Sequence, residues 1–268
     1  MSFYEPLGDG RFASTPHTRG PWDPAFQHAG PPAALLGRAL ERCEPRDGFV
    51  FARLTFEILR PVPVAEVAVG VRLVRPGRSV ELLEGELSAD GQPVMIVRAW
   101  RVLAATAPTV ADDGPLPPLP AEATPPPAEL DGFGYGKAVE LRFAVGGWSR
   151  PGPATVWTRL RVPLLPDEPP TGLQRVLAVA DSGNGVSAVL PLDEWLFINP
   201  ELTVHLRREP RGEWICLDAE TAITEGGAGL ARSTLSDHDG VVGHGAQSLF
   251  VSGRARRGPA SGGTGRRS

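Results

Sequence analysis

The chain has 268 residues, with 27 Lys and Arg against 31 Asp and Glu and a net charge of −4. It therefore offers no basic footprint for nucleic acid, and no segment approaches the roughly 18 apolar residues that a membrane span needs. A hydrophobic fraction of 41% and a charged fraction of 22% suit one large core or two modest ones.

The start, Met1-Ser2-Phe3-Tyr4-Glu5, has neither the cationic nor the apolar region of a secretory signal. Cys43 and Cys216 are the only cysteines and lie in opposite halves without CxxC or Cys/His spacing. Buried thiols, no metal site, no cofactor and a cytoplasmic compartment are expected.

In chain order, a short extended start leads to Gly30-Pro31-Pro32 and a helical run over 33–43, where Leu36, Ala39, Leu40 and Cys43 recur at helical spacing. Proline suits the first turn of a helix, because that amide has no helical partner. Strands follow over 49–62, 66–74, 80–89 and 94–103, with turn residues between them.

From about residue 105 the chain becomes rich in proline, as in Pro115-Leu116-Pro117-Pro118-Leu119-Pro120 and Pro125-Pro126-Pro127. With few branched apolar residues, it reads as an extended linker over 105–132. Beyond it, strands are expected over 139–146 and 154–163. A helix over 173–181 follows, apolar nearly all round and hence enclosed by protein. Further strands fall at 198–206, 214–224, 230–236 and 241–251. The Gly, Ser and Arg tail, 253–268, lacks periodicity and reads as disordered.

The two halves repeat one plan. Leu54-Thr55-Phe56-Glu57-Ile58-Leu59-Arg60-Pro61 returns as Leu202-Thr203-Val204-His205-Leu206-Arg207-Arg208-Glu209-Pro210, an offset of 202 − 54 = 148. Ser88-Ala89-Asp90-Gly91 meets Asp237-His238-Asp239-Gly240 at 240 − 91 = 149. The pattern predicts two copies of one α+β domain, over 1–104 and 133–252.

A helix followed by an antiparallel sheet, duplicated across a linker, resembles the double hotdog of TesB-like acyl-CoA thioesterases. The residues that carry the resemblance are Asn199-Pro200-Glu201-Leu202-Thr203-Val204-His205-Leu206, Gly212-Glu213-Trp214, Asp239-Gly240 and Ala246-Gln247-Ser248-Leu249. The resemblance implies that each sheet wraps its own helix and that the copies pair as a pseudo-dimer with sites between them. It also implies an acyl-CoA substrate in lipid metabolism. A homodimer of double hotdogs is compatible with it.

Such enzymes hydrolyse thioesters with an acidic residue, a Ser or Thr, and a Gln that position and activate water. Carried over, the acid falls on Glu201, seven residues before Arg208, the hydroxyl on Thr221, seven beyond Trp214, and the amide on Gln247. Glu201 stands where the family has Asp. Glu201 would be the base, while Thr221 and Gln247 hold the water.

Asn199 shares strand parity with Glu201 and would bind substrate or fix a strand end. Gln27-His28-Ala29-Gly30 resembles the His-Gly-Gly element of single hotdog thioesterases, so Gly30 would hold the thioester carbonyl and His28 would help position it. Asp181-Ser182-Gly183-Asn184-Gly185 reads only as a turn. By offset, positions 201 and 247 correspond to Arg53 and Arg98, which predicts one asymmetric site per chain. A ligand-binding protein without hydrolysis, and a hotdog hydratase or dehydratase, are the alternatives.

Overall fold

The computed structural model describes residues 1–106, 108, 114–148 and 150–254. Residues 255–268, most of the tail expected to be disordered, lie outside the described residues, as do 107 and 109–113 of the linker.

The first half runs β1 (Tyr4–Gly8), β2 (Arg11–Ser14), α1 (Gly30–Arg42), β3 (Phe49–Ile58), β4 (Glu66–Arg75), β5 (Val80–Ala89) and β6 (Gln92–Leu103). A short helix, α2 (Gly134–Ala138), opens the second, followed by β7 (Val139–Gly147), β8 (Arg150–Leu160), α3 (Gly172–Ala180), α4 (Gly183–Val186), β9 (Trp195–Ile198), β10 (Glu201–Leu206), β11 (Ile215–Ile223), β12 (Ala228–Asp237) and β13 (Gly240–Gly253).

One sheet carries all these strands in the order β1-β2-β4-β5-β6-β3-β10-β13-β12-β11-β8-β7, with β9 paired beside β13. Each half thus uses the same internal order, and the halves meet where β3 pairs antiparallel with β10. This is the expected α+β double hotdog.

The two helices fill the space enclosed by the sheet and pack on each other. α1 rests on β4 and β5, α3 on β8, β11 and β12. α1 buries Ala33, Ala34, Leu35, Leu36 and Leu40. α3 buries Leu173, Val176, Leu177 and Val179, and Thr171 caps its start by accepting from the Gln174 N–H. Each fully buried leucine contributes about 1.5–3 kcal/mol, so this pair of helices is the centre of the core.

The helices run antiparallel and very close. A Cβ on Gly30 would lie 2.1 Å from the Ala178 carbonyl oxygen, and one on Gly37 2.4 Å from the Leu177 side chain. At Gly30 the clash would be with backbone, so only glycine permits that approach. Consequently the first turn of α1 abuts the last turn of α3.

The register at the centre fixes the repeat. Thr203 pairs with Thr55, Val204 with Leu54 and Leu202 with Phe56, which is the pattern of a two-fold axis through residues 148 apart. On the flanking strands Thr55 faces Arg98 and Thr203 faces Ala246. The counterpart of Gln247 is therefore Ala99, which corrects the expectation of Arg98: the sheet register keeps the offset at 148. The same register matches Ala231 with Leu83 and Thr221 with Leu73.

Local differences from the sequence reading have simple causes. The strand expected to run to residue 62 ends at Ile58, before Pro61 and Pro63. The strand expected over 198–206 is split at Asn199-Pro200 into β9 and β10. The described part of the proline-rich stretch from residue 114 onward is pinned to the outer sheet face. Trp157 Nε1 donates to the Pro117 carbonyl at 3.2 Å, the Arg142 guanidinium donates to the carbonyls of Pro120 and Ala121, and Leu116 and Leu119 pack on Trp157 and Trp214.

Candidate active site

α3 is apolar from Val176 to Ala180 and ends at Asp181, where a carboxylate faces the negative end of the helix dipole. It is nonetheless only 5% exposed, and one of its two oxygens is held by side-chain donors. Asn199 Nδ2 donates to Asp181 Oδ1 at 2.8 Å, and Gln247 Nε2 donates to the same oxygen and to the Asp181 carbonyl, each at 3.1 Å. The Ala29 N–H, at the start of α1, also bonds the carboxylate. The close helix approach at Gly30 delivers that amide.

Burial raises the Asp181 carboxyl to about 7, against the hydrogen bonds from Asn199, Ala29 and Gln247, which favour the charged form. Near neutral pH this acid exists in both states, as a general base requires.

His28 completes the centre. Its Nδ1 lies 3.4 Å from Asp181 Oδ2 and accepts the Gly30 N–H at 3.1 Å. Burial lowers the imidazole to about 3, so it is neutral. With Nδ1 accepting, the ring proton sits on Nε2. The contact with Asp181 is then not an ion pair, because the neutral ring has its one Nδ1 lone pair turned to the Gly30 N–H. Tyr135 of α2 stacks on the imidazole at 3.8 Å with the rings nearly parallel. Its hydroxyl donates to the Ala178 carbonyl at 2.9 Å and lies 2.9 Å from Ser182 Oγ.

Of the residues singled out by sequence, Gln247, Asn199 and His28 meet at Asp181. Gln247 is 2% exposed, and its Oε1 accepts the Asn184 N–H at 3.0 Å. Gly30 lies beside them, its N–H committed to His28.

Glu201 is placed elsewhere. Opposite residues on paired strands point to one face, so Thr203, opposite Ala246, shares its face, and Gln247 points to the other. Glu201 shares parity with Thr203. Its carboxylate accepts the Ser248 N–H at 2.6 Å and the Thr203 hydroxyl at 3.2 Å. The break at Asn199-Pro200 interrupts the ladder to β13 at this point, and the Glu201 side chain supplies an acceptor there.

Thr221 is buried on the same row as Ala231 and Gln247. Its hydroxyl lies 2.8 Å from Ser187 Oγ, and Ser187 itself donates to the Gly183 carbonyl. Thr221 must therefore be the donor, and it ties down the 183–187 turn behind Asp181.

A cavity of about 1120 Å³ opens at this centre, lined from both halves. His28, Asp181 and Asn199 are among its polar lining groups, with Phe26 and Val62 from the first half and Val186 and Ile198 from the second among the apolar ones.

Family models match both halves of the sequence: the acyl-CoA thioesterase N-terminal domain over residues 18–102 and the acyl-CoA thioesterase C-terminal domain over 105–251. The chain belongs to the acyl-CoA thioesterase family. It is a thioester hydrolase by that membership, consistent with a polar centre opening on a large cavity. No curated protein matches the sequence.

Solved structures share the fold at low identity. A hot dog protein of unknown function from Alicyclobacillus acidocaldarius superposes with a TM-score of 0.72 at 16% identity, covering 93% of this chain and 96% of the other. The acyl-CoA thioesterase II TesB2 from Mycobacterium marinum gives 0.69 at 16%, with 96% and 97% covered. A tesB protein from Mycobacterium avium gives 0.66 at 16%, with 93% and 96% covered. No helix among the described residues is long and apolar enough to cross a membrane.

Asp181 and Tyr135 are not among the residues that the sequence singles out. A signal for Asp181 existed: an acid closing a helix whose last five residues, Val176 to Ala180, are all apolar is out of place by both burial and dipole, and needs partners. Tyr135 had none, because only the fold brings residue 135 over residue 28.

Proposed function

We propose that this thioesterase hydrolyses acyl-CoA to free acid and CoA by base-assisted attack of water, with Asp181 as the base. The observation that carries this reading is the buried carboxylate whose Oδ1 is held by Asn199 and Gln247 and which borders the cavity between the halves. With Oδ1 occupied, Oδ2 is the oxygen available to a water.

That water gives its proton to Asp181 as its oxygen bonds the thioester carbonyl carbon. The C–S bond then breaks, and the departing thiolate takes up the proton. The negative charge on the carbonyl oxygen is stabilised by the His28 Nε2–H, which is a donor because Gly30 occupies Nδ1. Gln247 and Asn199 hold the base in place, and Thr221, through Ser187, braces the turn that follows it. No covalent acyl-enzyme is required, and the chain has no Gly-x-Ser-x-Gly elbow.

The test is release of free CoA from a panel of acyl-CoAs by the purified chain. Turnover on at least one member is expected. Thermal stabilisation by acyl-CoA without any thiol release would identify a binding protein and overturn the reading.

A further inference from the structure

The cavity wall divides into two sets. Arg60, Trp195, Ile198 and Phe250 belong to an exposed side, whereas Phe133, Leu141 and Val186 are buried, with half-buried Leu130 and Trp148 beside them. The second set is apolar, and it begins at His28: the Phe133 ring lies 6.2 Å from the imidazole.

Much of this apolar wall comes from one stretch, residues 130–135, at the end of the proline-rich connection. That stretch packs closely against the first half. A Cβ on Gly134 would lie 1.8 Å from the Pro16 carbonyl oxygen, and one on Gly136 2.5 Å from the Phe133 ring. The Tyr135 N–H donates to the Arg19 carbonyl at 3.0 Å. Trp148 is fixed by donating from Nε1 to the Thr124 carbonyl at 3.4 Å and by meeting the Phe143 ring edge-on. A longer ligand would have to displace these packed groups.

The pseudo-symmetric end of the helix pair shows the alternative. There Glu41 accepts from Thr171 and Gln174, and the cavity beside it is only about 150 Å³.

We propose that residues 130–135 and Trp148 form the acyl end of the large cavity, and that Leu130 and Trp148 set the longest acyl chain accepted. The ligand class is an aliphatic acyl group lying against Phe133, with its thioester at His28 and Asp181. This rests on the reading of Asp181 as the hydrolytic centre but can be tested apart from it.

Two measurements do so, on the wild type and on Trp148→Ala, Leu130→Ala and Leu130→Trp. In the first, kcat/KM for thiol release is followed from butyryl-CoA to palmitoyl-CoA. The two alanine variants should raise the ratio of long-chain to short-chain kcat/KM by about tenfold or more, and Leu130→Trp should lower it by a similar factor. In the second, thermal stabilisation by the corresponding free fatty acids is recorded, and its chain-length optimum should move in the same directions. A shifted fatty-acid optimum without thiol release from any variant would uphold the acyl wall and remove the hydrolytic reading. Folded variants whose chain-length profiles match the wild type in both assays would overturn the proposal, and Leu130→Trp decides the case if the cavity-opening variants fail to fold.

Discussion

Thr55 and Thr203 face each other at the centre of the sheet, 148 residues apart in sequence, with their hydroxyl oxygens 3.3 Å apart. They mark the axis that relates the halves, and around it the two copies diverge in chemistry. The row Thr221, Ala231 and Gln247 in the second copy is matched by Leu73, Leu83 and Ala99 in the first. Hydroxyl and amide have apolar counterparts, so the polar row behind Asp181 occurs once.

Replacing Gln247 with alanine should reduce acyl-CoA hydrolysis by about a hundredfold. The change removes a donor from Asp181 Oδ1 and leaves the Asn184 N–H without its acceptor, so a loss of about 1–3 kcal/mol in stability should accompany it. Thiol release and chemical denaturation check the two effects separately. Undiminished turnover would remove Gln247 from the site.

Asp181 and Glu201 make opposite predictions for the identity of the base. Asp181→Asn should lower kcat by roughly a thousandfold. Glu201→Gln should leave kcat within about threefold of wild type, because an amide oxygen can still accept the Ser248 N–H. The reverse ranking would return the role to Glu201.

The pH dependence follows from the Asp181 carboxyl lying at about 7. Hydrolysis needs the carboxylate, so kcat should fall by about tenfold per pH unit below 7. His28, lowered to about 3, adds no limb in this range. For stability the sign is opposite. The folded-state value lies above the ordinary 3.8, so the associated stabilisation is fully present below about pH 4 and lost as pH rises through 7. At pH 8, Asp181→Asn should therefore melt about 3 °C or more above the wild type, and an unchanged or lower Tm would count against the buried charge.

Gly30→Ala should destabilise the protein by about 2 kcal/mol, despite the better helix propensity of alanine, because its Cβ would meet the Ala178 carbonyl oxygen at 2.1 Å. The helices must separate, and the Ala29 N–H withdraws from Asp181. Urea unfolding reads the stability, and a variant as stable as the wild type would show that the helix contact is dispensable.

Sequence by itself determined the duplication, because matching strands need matching alternation of apolar and polar residues, and that pattern survives in Leu54, Phe56, Leu202 and Val204, all buried. It also located α1, α3 and most strands, and it singled out Gln247, Asn199 and His28. The tertiary structure alone decided what those residues meet. Glu201 and Gln247 are both on central strands, yet the pleat turns them to opposite faces, and the break at Asn199-Pro200 draws the Glu201 carboxylate into the ladder. Asp181, read from sequence as part of a turn, is made the centre by contacts from residues 18 to 153 positions away along the chain. Local pattern carries strand parity and helix faces, whereas the desolvation and hydrogen bonding that bring a carboxyl to about 7 exist only once α1, α3, β10 and β13 have packed around it.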